Sequence, residues 1–258
     1  MSQPQPLPDL GKLYGAIQQA GKKNPDISKF KLLQIAKAAK NDREVNGLVV
    51  SAQVHLYFNE FEDAENNLLL AKKKYPNDTL VWHMFFSLYL LWGKWRKLRS
   101  VILEMYDTTN ISFGKEDSRF LDIIMSYPII FYDLDLLEII MSKHQIEDTK
   151  NGLADTKYIV DSVNGLDIDM DAVRDIISLG HYVYSQKFHG IVQTEIVTGD
   201  EVNILLFVDV SDVGDLMELN SNLIKKKLEL SSKSEFNKKY NNYISATFLP
   251  SNNNQVLS

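Results

Sequence analysis

A chain of 258 residues, 45% hydrophobic and 24% charged, holds enough apolar material for one large core or two modest ones, so a folded, soluble protein is expected. Its formal net charge of -6 gives no bulk attraction to a phosphate backbone, which makes nucleic acid the lesser expectation as partner. With no cysteine, disulfides, thiolate zinc sites and thiol catalysis are all closed to it.

Residues 1–9 are rich in Pro and Gln and read as a flexible terminus; they show no basic stretch followed by an apolar run, so a cytoplasmic protein is expected. From 10 to 148 apolar residues recur at spacings of three and four. Breaks are expected at Asn24-Pro25-Asp26, Asn41-Asp42, Tyr75 to Asp78, Asp107 to Gly114 and Tyr127-Pro128, so the segment reads as successive helical hairpins. Its most apolar run, Met84 to Trp92, is far short of the roughly 20 residues that a membrane span needs, and reads as a buried helix.

Residues 149–169, punctuated by Asn151-Gly152 and Asn164-Gly165, read as a linker. Over 170–250 the pattern predicts a helix at 170–186, strands at 190–197 and 202–210 joined by a turn at Thr198-Gly199-Asp200-Glu201 with Gly199 free to take positive φ, a helix at 212–232 and a strand at 243–249. The second helix carries Val213, Leu216, Met217, Leu223, Ile224 and Leu228 on one side. The order α-β-β-α-β makes this part a small α+β domain with a short sheet, and 251–258 a polar, flexible tail.

Shifting the sequence by 34 residues superimposes Leu48 on Trp82, Asn59 on Gly93, Phe61 on Trp95, Glu62 on Arg96 and Leu68 on Ile102. Ala52, Ala64 and Ala71 are small where helices must cross closely, Phe61 opens a second helix, and Pro76 stops it. Trp82, Tyr89, Gly93 and Trp95 hold the aromatic and turn positions of the next unit. Residues 45–110 resemble the tetratricopeptide repeat family in these positions, over about a quarter of the chain. Phe86 and Leu98 depart from the pattern by their size, and Asn110 stands where Pro76 predicts a proline. Trp82, Trp92 and Trp95 read as core.

The resemblance implies an α-helical solenoid whose concave groove is lined by the first helix of each hairpin. Carried onto this chain, the groove positions are Asn46, Val49, Gln53, Leu56 and Tyr57, then Leu80, His83, Met84, Ser87, Leu90 and Leu91. None is Lys or Arg, which disfavours the clamping of a terminal carboxylate. The expected occupant is an apolar peptide or amphipathic helix of another protein, or a segment of this same chain.

Other candidate chemistry is thin. Asp167, Asp169 and Asp171 alternate as in a calcium loop, but Ala172 stands where glycine is required and Ser178 where the bidentate glutamate belongs, so a helix cap is expected instead. His181, His189 and Glu195 lack a metal-binding helical spacing. Asp209, Asp212 and Asp215 follow the apolar strand Leu205 to Val208 and keep a metal-dependent hydrolase or nuclease as one alternative, although Asp212 suits a helix cap. Lys225, Lys226 and Lys227, with Lys233, Lys238 and Lys239, keep a nucleic-acid or nucleotide-binding regulator as another. The leading expectation is a non-catalytic adaptor or chaperone with no cofactor and no metal, in which homo-oligomerisation through the C-terminal part is also open.

Overall fold

The computed structural model describes residues 8–39, 47–108, 118–146, 152–233, 239–240 and 242–251. Among them run eleven helices: α1 (Pro8–Gln18), α2 (Lys29–Ala39), α3 (Gly47–Tyr57), α4 (Phe61–Lys74), α5 (Thr79–Leu91), α6 (Trp95–Thr108), α7 (Ser118–Phe131), α8 (Leu134–His144), α9 (Gly152–Gly165), α10 (Met170–Ser185) and α11 (Val213–Lys233). The strands are β1 (Gly21–Lys22), β2 (Phe188–His189), β3 (Gln193–Thr198), β4 (Val202–Val208) and β5 (Ile244–Pro250). The expected break at Asn41-Asp42, most of that at Asp107 to Gly114, and positions Asn46, Asn110 and Lys238 lie outside the described residues, as do nearly all of both expected flexible ends.

Four helices begin on an aspartate whose carboxylate accepts a first-turn N–H. Asp78 accepts from Leu80 at 2.9 Å, Asp133 from Leu136 at 3.2 Å, Asp169 from Asp171 at 2.8 Å and Asp212 from Asp215 at 2.8 Å. Each satisfies an orphan donor at the positive end of the helix dipole, a contribution of about 1 kcal/mol.

The hairpin turns share one geometry. Asn59, Gly93, Tyr132 and Asp167 take φ of 60, 66, 51 and 55°. The residue after each donates its N–H back five positions: Glu60 to His55 at 2.9 Å, Lys94 to Tyr89 at 2.8 Å, Asp133 to Pro128 at 2.8 Å and Ile168 to Val163 at 3.4 Å. This Schellman closure satisfies carbonyls that a helix end leaves without partners. The turns join α3 to α4, α5 to α6, α7 to α8 and α9 to α10, so 47–185 holds four helical hairpins.

Two sequence expectations change here. Pro128 does not end a helix: α7 continues through it to Phe131, and the reversal comes at Tyr132, where the Pro128 carbonyl accepts the closing bond. The expected linker at 149–169 holds α9, with Gly152 and Gly165 as its first and last residues. Both glycines mark helix ends, and between them Thr156 and Val163 are buried while Ile159 and Val160 pack on the core.

α5 is apolar around most of its circumference, and nine of its thirteen residues are buried. Phe85, Phe86 and Leu88 are all but inaccessible, and burial of such side chains contributes roughly 1.5–3 kcal/mol each. Ala52, Ala64 and Ala71 are fully buried where α3 and α4 pack.

The C-terminal sheet has the order β3-β4-β5, antiparallel between β3 and β4 and parallel between β4 and β5, with α11 as the crossover. Central β4 alternates: Val202, Ile204, Leu206 and Val208 are buried, with half-buried residues between them. The turn after β3 uses no left-handed glycine; the Gly199 N–H donates to the Glu201 carbonyl at 3.0 Å. β1 and β2 form a separate two-stranded antiparallel sheet. One buried cluster runs from Val49 in α3 to Phe248 in β5, and a smaller one joins Ile17, Ile27, Leu32, Val54 and Tyr57.

α10 connects these layers. A Cβ on Gly93 would lie 2.7 Å from the Ser178 carbonyl oxygen, a backbone approach only glycine allows, and one on Gly180 would lie 2.5 Å from the Leu206 side-chain tip of β4, so the hairpin turn and the sheet both pack closely on α10. The Arg174 guanidinium donates to the Phe131 and Tyr132 carbonyls at 3.1 and 2.9 Å, closing the end of α7, and lies 5.4 Å from the centre of the Trp95 ring. Gly93→Ala combines a backbone clash with a left-handed φ, and is expected to cost about 2–4 kcal/mol in urea unfolding. Gly93→Asn tolerates the φ but keeps the clash, so it should lose nearly as much.

Candidate interaction surface

The groove positions carried over from the repeat pattern are mostly inside the molecule. Val49, Leu56, Tyr57, Met84, Leu90 and Leu91 are buried, Gln53, His83 and Ser87 are half-buried, and Leu80 is exposed. Their neighbours come from this chain. The Tyr14 hydroxyl donates to Gln53 Oε1 at 2.6 Å, the Asn24 N–H donates to the Tyr57 hydroxyl at 2.8 Å, Ser87 is hydrogen-bonded to Tyr127, and Ser185 Oγ donates to the Leu91 carbonyl at 2.9 Å. An open apolar groove at these positions is therefore not what this conformation presents. α1, the segment around β1, α7 and α10 occupy the space, because their own apolar faces need the same burial.

The N-terminal segment is stitched to the far end of the chain. Lys22 and Lys187 both pair with Asp215, at 2.9 and 2.7 Å. Lys23 Nζ donates to Asn59 Oδ1 at 2.7 Å and to the Ser185 carbonyl at 2.5 Å, and burial lowers its pKa to about 8. The remaining acids of the hydrolase alternative do not converge, since Asp215 is held by lysines and Asp212 caps α11. In the lysine cluster, Lys226 pairs with Glu229 at 2.8 Å and Lys227 donates to the Ile244 carbonyl, while Lys225 is exposed.

Among the described residues, His55, Glu60 and Asp63 could bring ligand atoms together, but Glu60 already has charge partners. Burial raises its carboxyl, yet hydrogen bonds from Lys29 and His55 outweigh that and hold its pKa below the usual range. A cleft of about 520 Å³ lies between the Trp92 to Lys97 turn region, α10 and Leu230. Its ring faces are already used: Phe61 stacks on Trp92 with centroids 5.6 Å apart, and Arg96 and Arg174 lie 4.4 and 5.4 Å from the centre of Trp95.

Both edges of the C-terminal sheet are occupied by side chains. On β5, Asn220 Oδ1 accepts the Phe248 N–H at 2.8 Å and its Nδ2 donates to the Phe248 carbonyl at 3.1 Å, imitating a strand residue. On β3, the Tyr132 hydroxyl donates to the Thr194 carbonyl at 3.4 Å and also meets the Ile196 backbone. Each contact occupies part of its edge and hinders the addition of another strand there.

One side of α11 faces outward. The six apolar residues expected to share a side divide instead. Leu223 is buried, with Leu219 beside it, and Leu216 packs on the core. Val213, Met217, Ile224 and Leu228 are 70, 69, 58 and 57% exposed. The helix therefore carries two apolar stripes, and only one meets the sheet.

No family model, curated protein or solved structure matches the chain. The likeness to tetratricopeptide repeats thus rests on this chain's own residues and turns. No helix among the described residues is long and apolar enough to cross a membrane.

α10 also buries a titratable group that no expected site uses. His181 is 1% exposed, its ring centroid is 5.9 Å from that of Phe131, and its Nε2 finds no hydrogen-bond partner among the described residues. Burial drives its pKa down from 6.5 to about 3. The folded form keeps the ring neutral, whereas the unfolded chain binds a proton below 6.5, so stability declines as pH falls from 6.5 toward 3. Urea unfolding should show a loss on the order of a few kcal/mol across this window, and His181→Leu should flatten the part of the decline that precedes carboxylate titration.

Proposed function

We propose that this chain is a non-catalytic interaction protein of tetratricopeptide-like build, an adaptor or chaperone that docks an apolar or amphipathic segment of another protein on the outward side of α11. The supporting observation is the exposed stripe Val213, Met217, Ile224 and Leu228 on a helix whose other apolar residues are satisfied by the core. Four apolar side chains of one stripe left in water are costly without a partner. The family likeness draws support from the shared turn at Asn59 and Gly93, which repeats at the sequence period, and from the buried alanines of α3 and α4.

In this arrangement the hairpins act as a scaffold. Their inner apolar positions hold the chain's own helices, α10 carries the sheet, and the sheet presents α11. A cytoplasmic setting belongs to the proposal. Binding of RNA through Lys225 to Lys227 is less favoured, since two of the three ammonium groups already have partners.

Affinity capture with the full chain tests this. The pair Met217→Glu and Ile224→Glu should strip most captured proteins from a bait that stays folded by circular dichroism. An unchanged set of captured proteins would overturn α11 as the contact face.

A further inference from the structure

We propose that the outward stripe of α11 pairs with the same stripe of a second copy of this chain, the two helices running antiparallel about a two-fold axis. The inference rests on α11 being a contact face and names its occupant. On a helix of 3.6 residues per turn, Val213, Met217, Ile224 and Leu228 fall within about 60° of arc and span about 22 Å. They are also symmetric along the helix. Val213 lies as far before the midpoint between Asn220 and Ser221 as Leu228 lies after it, and the same holds for Met217 and Ile224.

A two-fold contact requires that a residue meeting its counterpart be met by it in return. Antiparallel pairing about that midpoint satisfies this everywhere: Val213 of each copy meets Leu228 of the other, and Met217 meets Ile224. The spacing of four, seven and four residues keeps these side chains on one stripe of the helix. Asn220 stands in the gap of the seam with its amide turned to β5, so no polar group of its side chain is left unpaired there.

Charge selects the direction. On the solvent flank of the stripe, Glu218 precedes the midpoint and Lys225 follows it. Antiparallel helices set Glu218 of each copy beside Lys225 of the other, whereas in a parallel pair the same flank of the two helices falls on opposite sides of the seam and these charges do not meet. Glu218 is 55% exposed even while paired with Lys187, so it has a free side for a second cation. Four apolar side chains per copy give less than the roughly 800 Å² per partner of a standard interface, and the dimer is therefore weak, with Kd on the order of micromolar.

Sedimentation equilibrium of the full chain, from low micromolar to sub-millimolar concentration, tests the pairing. Wild type should pass from monomer to dimer, and Met217→Glu should stay monomeric throughout. Glu218→Lys and Lys225→Glu should each weaken the dimer by about tenfold or more, and an equimolar mixture of the two should recover it, because each then meets its opposite charge. Should Met217→Glu not fold, the mixing experiment carries the test alone. A wild type that is monomeric at the highest concentration, or a dimer indifferent to Met217→Glu and to both charge reversals, overturns the inference. If wild type is monomeric while the stripe variant still loses captured partners, self-pairing fails and the contact face stands. A dimer broken by Met217→Glu with captures unchanged keeps the self-pairing and overturns the docking of another protein on α11.

Discussion

The turn at Gly93 lies so close to α10 that a methyl group there would enter the Ser178 carbonyl, and this contact governs how the rest of the molecule is joined. Because the turn backbone touches the helix backbone, neighbouring polar groups come within bonding range: Trp95 Nε1 reaches Asp175 at 2.7 Å and Ser185 Oγ reaches the Leu91 carbonyl. Two residues further along, Gly180 lets Leu206 of β4 press on the opposite region of α10. Two absent side chains thus bring hairpins and sheet onto a single helix, and a buried cluster continues from one to the other.

The apolar positions Leu56, Leu90 and Leu91 are satisfied within the chain, and Asn220 and Tyr132 each engage one edge of the sheet. The polar cost of this compaction is small. Arg174 supplies two backbone carbonyls at the end of α7, and the aspartate caps supply the helix starts. His181 is the main uncompensated polar group on α10. With the interior so committed, contact with other molecules falls to what faces out, and the stripe on α11 is one apolar feature there.

Much of the element order was legible in the residues, because amphipathic periods and strand alternation are local signals. The elements that escaped notice have weak or ambiguous local signals. β1 and β2 are two residues each, too short to show a period, and they pair only because α10 ends beside Gly21 and Lys22. Asn151-Gly152 and Asn164-Gly165 punctuate the chain in the same way whether they bound a loop or a helix, and the burial of Val163 decided for α9. On α11 the period grouped Val213, Leu216, Met217, Leu223, Ile224 and Leu228 on one side. It could not show that Leu219 and Leu223 form the stripe that meets the sheet.

By itself the sequence determined the helical hairpins, the three main strands and the caps at Asp169 and Asp212, since each depends on residues a few positions apart. Only the tertiary structure decided which apolar faces are covered, by what, and which is left in water. Burial is a competition among all apolar faces of the chain for the same interior. The inner positions Leu56, Leu90 and Leu91 entered it, and the outer stripe of α11 stayed in solvent because Leu219 and Leu223 already filled its side of the core.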